Sequence, residues 1–303
     1  MGDAHRFDCI VVGAGPAGLT AAIYLARFRR DFLVIEGGDS RAARIPRSHN
    51  HPGFPTGVRG EVLLSRMRRQ ARVYGARIVR GQVSALSTDA AGFALETGDG
   101  APLLARKVIL ATGVVDNEPP IPGMEAGVAR GLVRICPICD GYEVIDKTVA
   151  VLGKDDHSAA EAIFITTYTP KVTLLHAGPA GDLSQDMRRS LDDAGVEVVE
   201  APIDSVVLEA GRLDAVCFAP GAPRKFDVVY AALGVTPRAE LARQADASLD
   251  DNGRLVVSEH QQTSVPGLYA AGDVVRGLNQ ISTAQGEAAT AATDVHNALR
   301  LGR

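Results

Sequence analysis

Phe7-Asp8-Cys9-Ile10-Val11-Val12-Gly13-Ala14-Gly15-Pro16-Ala17-Gly18 leads from a strand into a helix and decides the fold. Phe7–Val12 is apolar apart from Asp8, the pattern of a strand covered on both faces. A helical stretch follows through Leu19, Ala22, Ile23, Tyr24 and Ala26. A second apolar strand, Phe32-Leu33-Val34-Ile35, ends at Glu36. A G-x-G-x-x-G run is weak on its own, but here strand, glycines, helix, strand and acid occur in order. Gly13 permits the tight turn, Gly15 lets the backbone approach a pyrophosphate, and Gly18 lets the helix pack on the strand. The helix N-terminus attracts the phosphates, and Glu36 can accept hydrogen bonds from ribose hydroxyls. This is the pattern of a dinucleotide site.

Past the proline-rich stretch Pro119, Pro120 and Pro122 the same order restarts. Strand Thr148–Leu152 leads to Gly153, a helix is expected around Ala159–Tyr168, and strand Lys171–Leu175 ends at His176. Gly13 to Glu36 spans 23 positions, and so does Gly153 to His176. Laying one unit on the other sets Asp155 at Gly15, Asp156 at Pro16 and Ser158 at Gly18. A Cβ at position 155 crowds the backbone approach. One carboxylate about 5 Å from a phosphate costs about 1–3 kcal/mol at an effective dielectric of 20–80. Nor does an arginine follow the second strand to hold a 2′-phosphate. The second unit therefore repeats the fold without the phosphate chemistry, and reads as poorly suited to NADPH. The competing reading is that Lys154 and a rearranged loop still bind a pyridine nucleotide.

The expected architecture is α/β: two Rossmann-like, three-layer ββα dinucleotide-binding domains, the second inserted into the first. Residues 1–117 and 246–303 form the first domain and 118–245 the second. Between the first motif and the insertion, residues 45–60 read as a Pro/Gly/His-rich loop. A helix over Glu61–Tyr74 is expected to turn Val62, Leu63, Met67 and Val73 inward. Short strands are expected near Arg77–Val79, Val83–Ser87 and Phe93–Glu96, and a buried strand over Lys107–Leu110 runs into Ala111-Thr112-Gly113. After the insertion come a hairpin signal, Asp250–Leu255, and a strand ending at Gly272-Asp273. There Asp273 is placed to bind a ribityl hydroxyl. Gln280 and Ile281 precede a small-residue helix, Ala284–Ala298.

Cys136-Pro137-Ile138-Cys139-Asp140-Gly141 carries the chemistry. Structural zinc normally takes four ligands, and no second CxxC or well-spaced His pair accompanies this one. A redox pair is the better reading, because the first thiol of a CxxC usually has a pKa lowered towards neutrality. Asp140 can serve as the general acid that protonates a departing thiolate. No metal site is expected.

The chain has 303 residues, 46% hydrophobic and 22% charged, with a net charge of −4. That is enough length for two domains, and the charge gives no support for nucleic-acid binding. The arginines Arg66, Arg68, Arg69 and Arg72 read as one solvated helix face. No apolar run approaches 18 residues, so no membrane association is expected, and the start lacks a signal-peptide layout. Four cysteines are too few for a secreted disulfide scaffold, which points to the reducing cytoplasm.

With these residues in hand, the chain resembles the low-molecular-weight thioredoxin reductase family over essentially its whole length. The matches are Gly13–Gly18, Asn50-His51-Pro52-Gly53, Ala111-Thr112-Gly113, the block 136–141, Gly272-Asp273-Val274 and Gln280. The resemblance implies a homodimeric flavoprotein with non-covalent FAD. Its implied cofactor-binding residues are Gly13, Gly15, Pro16, Ala17, Gly18, Glu36, Asn50, Ala111, Thr112, Gly113, Gly272, Asp273, Gln280 and Ile281. Asn50 and Gln280 would lie near the isoalloxazine. Cys139 would exchange electrons with the flavin, Cys136 would attack the substrate disulfide, and Asp140 would protonate the departing thiolate. The departures are Asp155, Asp156 and Ser158 in the second motif, Asn279 in place of an arginine, and Pro137-Ile138 in place of Ala-Thr.

The expectation is thus an FAD-dependent disulfide oxidoreductase acting on thioredoxin or a similar small redox protein. Its electron donor would not be NADPH, with ferredoxin or another non-pyridine donor in its stead. The alternatives are an FAD-dependent dithiol oxidase that passes electrons from substrate thiols to oxygen, and an ordinary NADPH-dependent enzyme with a rearranged nucleotide loop. A flavin-binding scaffold without turnover is disfavoured by the complete CxxC-Asp.

Overall fold

Two sheets, one mixed and one parallel and each covered on both faces, organise the chain in a computed structural model that describes residues 5–38, 40–98, 100–118, 121–178, 182–209, 212–219 and 221–302. It divides into two compact units. One holds the chain up to Arg47, His51–Val115 and everything from Thr236 onward; the other holds Ser48–Asn50 and Asp116–Val235.

In the first unit the strands are β1 (Arg6–Val12), β2 (Phe32–Glu36), β3 (Arg77–Arg80), β4 (Ala85–Asp89), β5 (Gly92–Glu96) and β6 (Leu103–Leu110). They lie in the order β3-β2-β1-β6-β5-β4. β1 pairs in parallel with both β2 and β6, with Val12 opposite Ile35 and Leu110. β6 is shared along its length. Leu103–Ala105 pairs antiparallel with β5, and Val108–Leu110 pairs in parallel with the late strand Leu268–Ala270. That late strand is how the end of the chain re-enters the first sheet.

One face of the sheet is covered by helix α1 (Pro16–Arg27), helix α2 (Gly60–Val73) and the C-terminal helix Ile281–Leu301, whose Ala284, Ala288, Ala291, Ala292 and Val295 are buried. Small residues let these helices approach closely. The other face is filled by Leu86, Phe93, Leu95 and Leu255, together with Leu241, Ala242 and Ala245. The short helix Glu240–Gln244 therefore belongs to this unit, and the return into it comes at Thr236 rather than at the expected 246.

Helix α2 corrects one expectation. Its buried residues are Gly60, Leu63, Leu64, Met67 and Ala71, a stripe at helical spacing. Val62 is 40% exposed and Val73 is 73% exposed. They lie one residue before Leu63 and two after Ala71, and each step turns a side chain about 100° around the axis, off the stripe.

The second unit repeats the plan with β7 (Val133–Arg134), β8 (Val149–Gly153), β9 (Val172–His176), β10 (Glu197–Val199) and β11 (Val228–Ala231). Their order is β10-β9-β8-β11-β7, all parallel. Helix α3 (Asp156–Ile165) follows β8 as α1 follows β1, starting earlier than the expected Ala159. An antiparallel hairpin, Ile203–Glu209 with Arg212–Phe218, packs its Val206 and Phe218 beside Leu152, Leu175 and Val229. Among the described residues no helix is long and apolar enough to cross a membrane.

The packing of α2 predicts unequal costs of truncation. Leu63→Ala should destabilise the protein by about 2–5 kcal/mol, while Val73→Ala should stay within about 0.5 kcal/mol. Thermal unfolding of the two variants side by side checks this, and equal melting temperatures would contradict the assigned face.

Candidate functional site

The glycine turn after β1 is tight because its neighbours leave no room. Gly13 has φ of +110°, and a Cβ there would lie 2.2 Å from the Ala111 carbonyl oxygen. A Cβ on Gly18 would lie 1.9 Å from the Gly13 carbonyl oxygen. Helix α1 is thereby pulled down onto the end of β1. Its N-cap residue, Gly15, makes no side-chain cap, and Pro16 is its first residue. The amide groups of its first turn thus have no side chain as acceptor at the cap, the arrangement that suits a phosphate.

The other expected residues of this unit gather round the same turn. Ala111 donates its amide to the Val12 carbonyl at 2.8 Å, which carries Thr112 and Gly113 to the level of Gly13. The Thr112 hydroxyl donates to the Arg238 carbonyl at 2.6 Å. A Cβ on Gly272 would sit 3.0 Å from Ala17 and 3.5 Å from Ala284, so the turn Gly272-Asp273 lies against the starts of both helices. Gln280 is the N-cap residue of the C-terminal helix and Ile281 its first residue. Glu36 ends β2 and is paired with Arg68; Asp273 is paired with Arg41 at 3.0 Å. A carboxylate can accept from an arginine and from a ribose hydroxyl together, so neither pairing excludes the expected role. The residues fit a dinucleotide. Asn50, by contrast, groups with the second unit, where its amide donates to the Ile138 carbonyl at 3.3 Å.

The equivalent turn of the second unit is closed by its own side chains. Asp155 caps α3: its Oδ1 accepts from the Ser158 amide at 3.1 Å, and the Ser158 hydroxyl accepts from the Asp155 amide at 3.1 Å. This reciprocal capping box occupies the groups that a phosphate would need. A Cβ on Gly153 would lie 1.9 Å from Ser158 Cβ, so the serine takes the space that the Gly13–Gly18 approach uses in the first unit. Asp156 accepts from the Ser184 amide at 2.8 Å, and that bond holds its carboxyl below the usual range. His176 is buried at the end of β9, its Nε2 3.1 Å from the Lys154 carbonyl.

Cys136 and Cys139 are joined in a disulfide, with Cα atoms 5.3 Å apart. Cys136 is the N-cap residue of the short helical turn Pro137–Asp140, and the Cys139 amide donates to the Cys136 carbonyl at 3.0 Å. Pro137 is buried beneath the turn, while Ile138 is 50% exposed and Tyr142 is 74% exposed.

Asp140 has partners that the motif did not reveal. The Tyr230 hydroxyl donates to Asp140 Oδ1 at 2.7 Å, and Arg134 Nη1 donates to the Asp140 carbonyl at 2.8 Å. Arg134 Nη1 also stands 3.6 Å from Asp140 Oδ2. Burial pushes the Asp140 carboxyl up from its ordinary value, against the opposing pull of Arg134 and the Tyr230 hydrogen bond. The Tyr230 hydroxyl is pushed up as well, by burial and by Asp140, and so remains a donor. The one signal available in the sequence was a tyrosine in the otherwise apolar strand Val228–Ala231, since a buried hydroxyl needs a partner.

Residues 7–288 match the family described as pyridine nucleotide-disulphide oxidoreductase. This chain belongs to that family. A thioredoxin reductase of Mycolicibacterium smegmatis is 34% identical over 305 residues, covering 96% of each chain. The structure of the thioredoxin reductase from Streptococcus pyogenes MGAS5005 superposes with a TM-score of 0.91 at 27% identity, covering 98% of this chain and 99% of that one. The structure of a protein named HlmI superposes with a TM-score of 0.89 at 30% identity, covering 99% and 95%. The chain is thus an oxidoreductase of the thioredoxin reductase-like kind.

Membership in a disulphide oxidoreductase family gives the Cys136–Cys139 pair its context, and leaves Cys9 and Cys217 as free thiols. Thiol titration in denaturant should therefore find two thiols before reduction and four after it. Four thiols in the protein as purified under air would show that the pair does not close.

Proposed function

We propose that this chain is an FAD-dependent disulfide oxidoreductase that works through Cys136 and Cys139 and takes its electrons from a donor other than NADPH. One observation carries the reading: the two homologous helix starts differ. Helix α1 begins at Gly15 with no side-chain cap, whereas α3 begins with the Asp155–Ser158 capping box. The first start suits a pyrophosphate. The second answers its own amides and adds two carboxylates where a phosphate would lie.

Gly13, Gly15, Pro16, Ala17 and Gly18 would hold the FAD pyrophosphate, Glu36 a ribose, Asp273 the ribityl chain, and Ala111, Thr112, Gly113, Asn50, Gln280 and Ile281 would complete the site. The flavin, when bound, supplies or removes the two electrons that the dithiol exchanges. In the reducing direction the Cys136 thiolate attacks a substrate disulfide, one S–S bond breaks, and the departing thiolate takes a proton from Asp140. The Cys139 thiolate then attacks Cys136 Sγ of the mixed disulfide, forming the intramolecular disulfide and releasing the second thiol. The substrate gains two electrons and the protein dithiol loses them. Thioredoxin or a similar small redox protein is the proposed substrate, with ferredoxin as a candidate donor. A homodimer in the cytoplasm belongs to the same reading, supported by the family resemblance and the scarcity of cysteine.

The closed second turn favours one further reading. A chain without a dedicated hydride donor can run in the other direction, with a substrate dithiol reducing the protein disulfide and oxygen accepting the electrons.

Anaerobic reduction of the bound flavin, followed at its visible band, separates these possibilities. NADPH and NADH should bleach it slowly, and a reduced small dithiol should bleach it fast. Rapid bleaching by NADPH would overturn the donor assignment. Asp155→Gly and Asp156→Ala combined with Ser158→Gly should improve NAD(P)H use, and unchanged kinetics would mean that charge and crowding at this turn are not the obstacle.

A further inference from the structure

The proposed acid, Asp140, sits in an arrangement built by sheet register. β7 and β11 are parallel neighbours, and their pairing sets Tyr230 directly opposite Arg134. Paired residues on adjacent strands project to the same face. Both side chains here converge on Asp140, three residues beyond the start of the turn that opens at Pro137. Tyr230 is fully buried, and Arg134 lies 6.0 Å from its ring centroid, with Nη1 3.5 Å from the hydroxyl. The Tyr230 hydroxyl keeps its proton and donates it to Asp140 Oδ1, while its oxygen faces Arg134. Asp140 Oδ1 is therefore held as an acceptor.

We propose that Tyr230 and Arg134 are positioning residues for Asp140: Tyr230 occupies Oδ1, Arg134 anchors the backbone carbonyl, and Oδ2 is left as the oxygen that carries and delivers the proton. This rests on the reading of Asp140 as the acid that protonates a departing thiolate. The step is a proton transfer from Oδ2 to the thiolate sulfur, which leaves a carboxylate bonded to Tyr230 and facing Arg134. Both partners favour that ionised product, so the proton is given up more readily than burial alone would allow. The remaining charged groups nearby are Glu143, whose charge opposes ionisation of Asp140, and His49, 3.9 Å from Glu143. Tyr168 lies against Gly141, and on α3 His157 faces Glu161 at 3.3 Å.

Protonated Asp140 is the active form, so the rate falls as pH rises through its midpoint. Removing a bond that favours the carboxylate raises that midpoint, and the falling limb moves to higher pH.

The test uses the full chain with its dithiol reduced and excess reductant removed, mixed with hydroxyethyl disulfide, an alkyl disulfide whose leaving thiolate needs a proton. A second readout, independent of turnover, is the carboxyl C=O infrared band, assigned to Asp140 by its loss in Asp140→Asn and titrated with pH. Asp140→Asn should slow the reaction about 100-fold or more. Tyr230→Phe, which keeps the ring, should slow it about 10-fold at low pH through lost orientation and move both midpoints upward. Arg134→Met should also move them upward, and Arg134→Lys should restore part of the shift. A folded Tyr230→Phe or Arg134→Met protein with wild-type rate and midpoints would overturn the proposal while leaving Asp140 as the acid. Wild-type rates in Asp140→Asn would sink the proposal together with the reading beneath it.

Discussion

The close approach of a helix start to the end of its preceding strand is the constraint on which both units depend. In the first unit it is made by removing atoms: Gly18 meets the Gly13 carbonyl where no Cβ could fit. In the second it is made by dividing the space differently, with Gly153 giving room and Ser158 filling it. The backbone geometry of a βαβ unit survives either solution, because what the sheet and helix require is a filled contact. What changes is the surface presented beyond the turn. One solution exposes amide groups in the helix field, and the other turns them inward on a carboxylate and a hydroxyl. Fold and ligand chemistry are thus separable at the level of single side chains.

Most of the architecture was legible because its signals are local. The strands of the two βαβ units are short apolar runs bounded by glycine, and the repeat offset between Gly13 and Gly153 made the duplication plain. The two acids and the serine of the second turn were readable as a departure for the same reason. Their mutual bonding was not, since nothing in the spelling Asp155-Asp156-His157-Ser158 distinguishes an acid repelling a phosphate from an acid capping its own helix. Val62 and Val73 are apolar yet lie off the buried stripe of α2, where alanine and glycine take places that apolar character alone does not mark.

The surroundings of Asp140 were hidden for a different reason. Arg134 lies in a two-residue strand, too short to show any periodicity. Tyr230 is 90 positions beyond Asp140, and only the register of β11 on β7 brings it there. Long-range pairing of this kind is set by the whole sheet, so a motif that ends at Gly141 carries no trace of it. The dithiol is encoded locally and its proton donor's environment globally.

The capping box at Asp155 and Ser158 also makes its turn hard to convert. Each side chain bonds the other residue's backbone amide, so losing either one forfeits one of the two bonds of a cap worth about 0.5–2 kcal/mol at a helix start. A change at Asp155 alone would leave the serine filling the space beside Gly153, and a change at Ser158 alone would leave the carboxylate. Conversion to a phosphate-binding turn by single changes must therefore pass through a form that is less stable and not yet open. The pair acts as a latch: each residue adds a bond to the helix start, and opening the turn means giving up both.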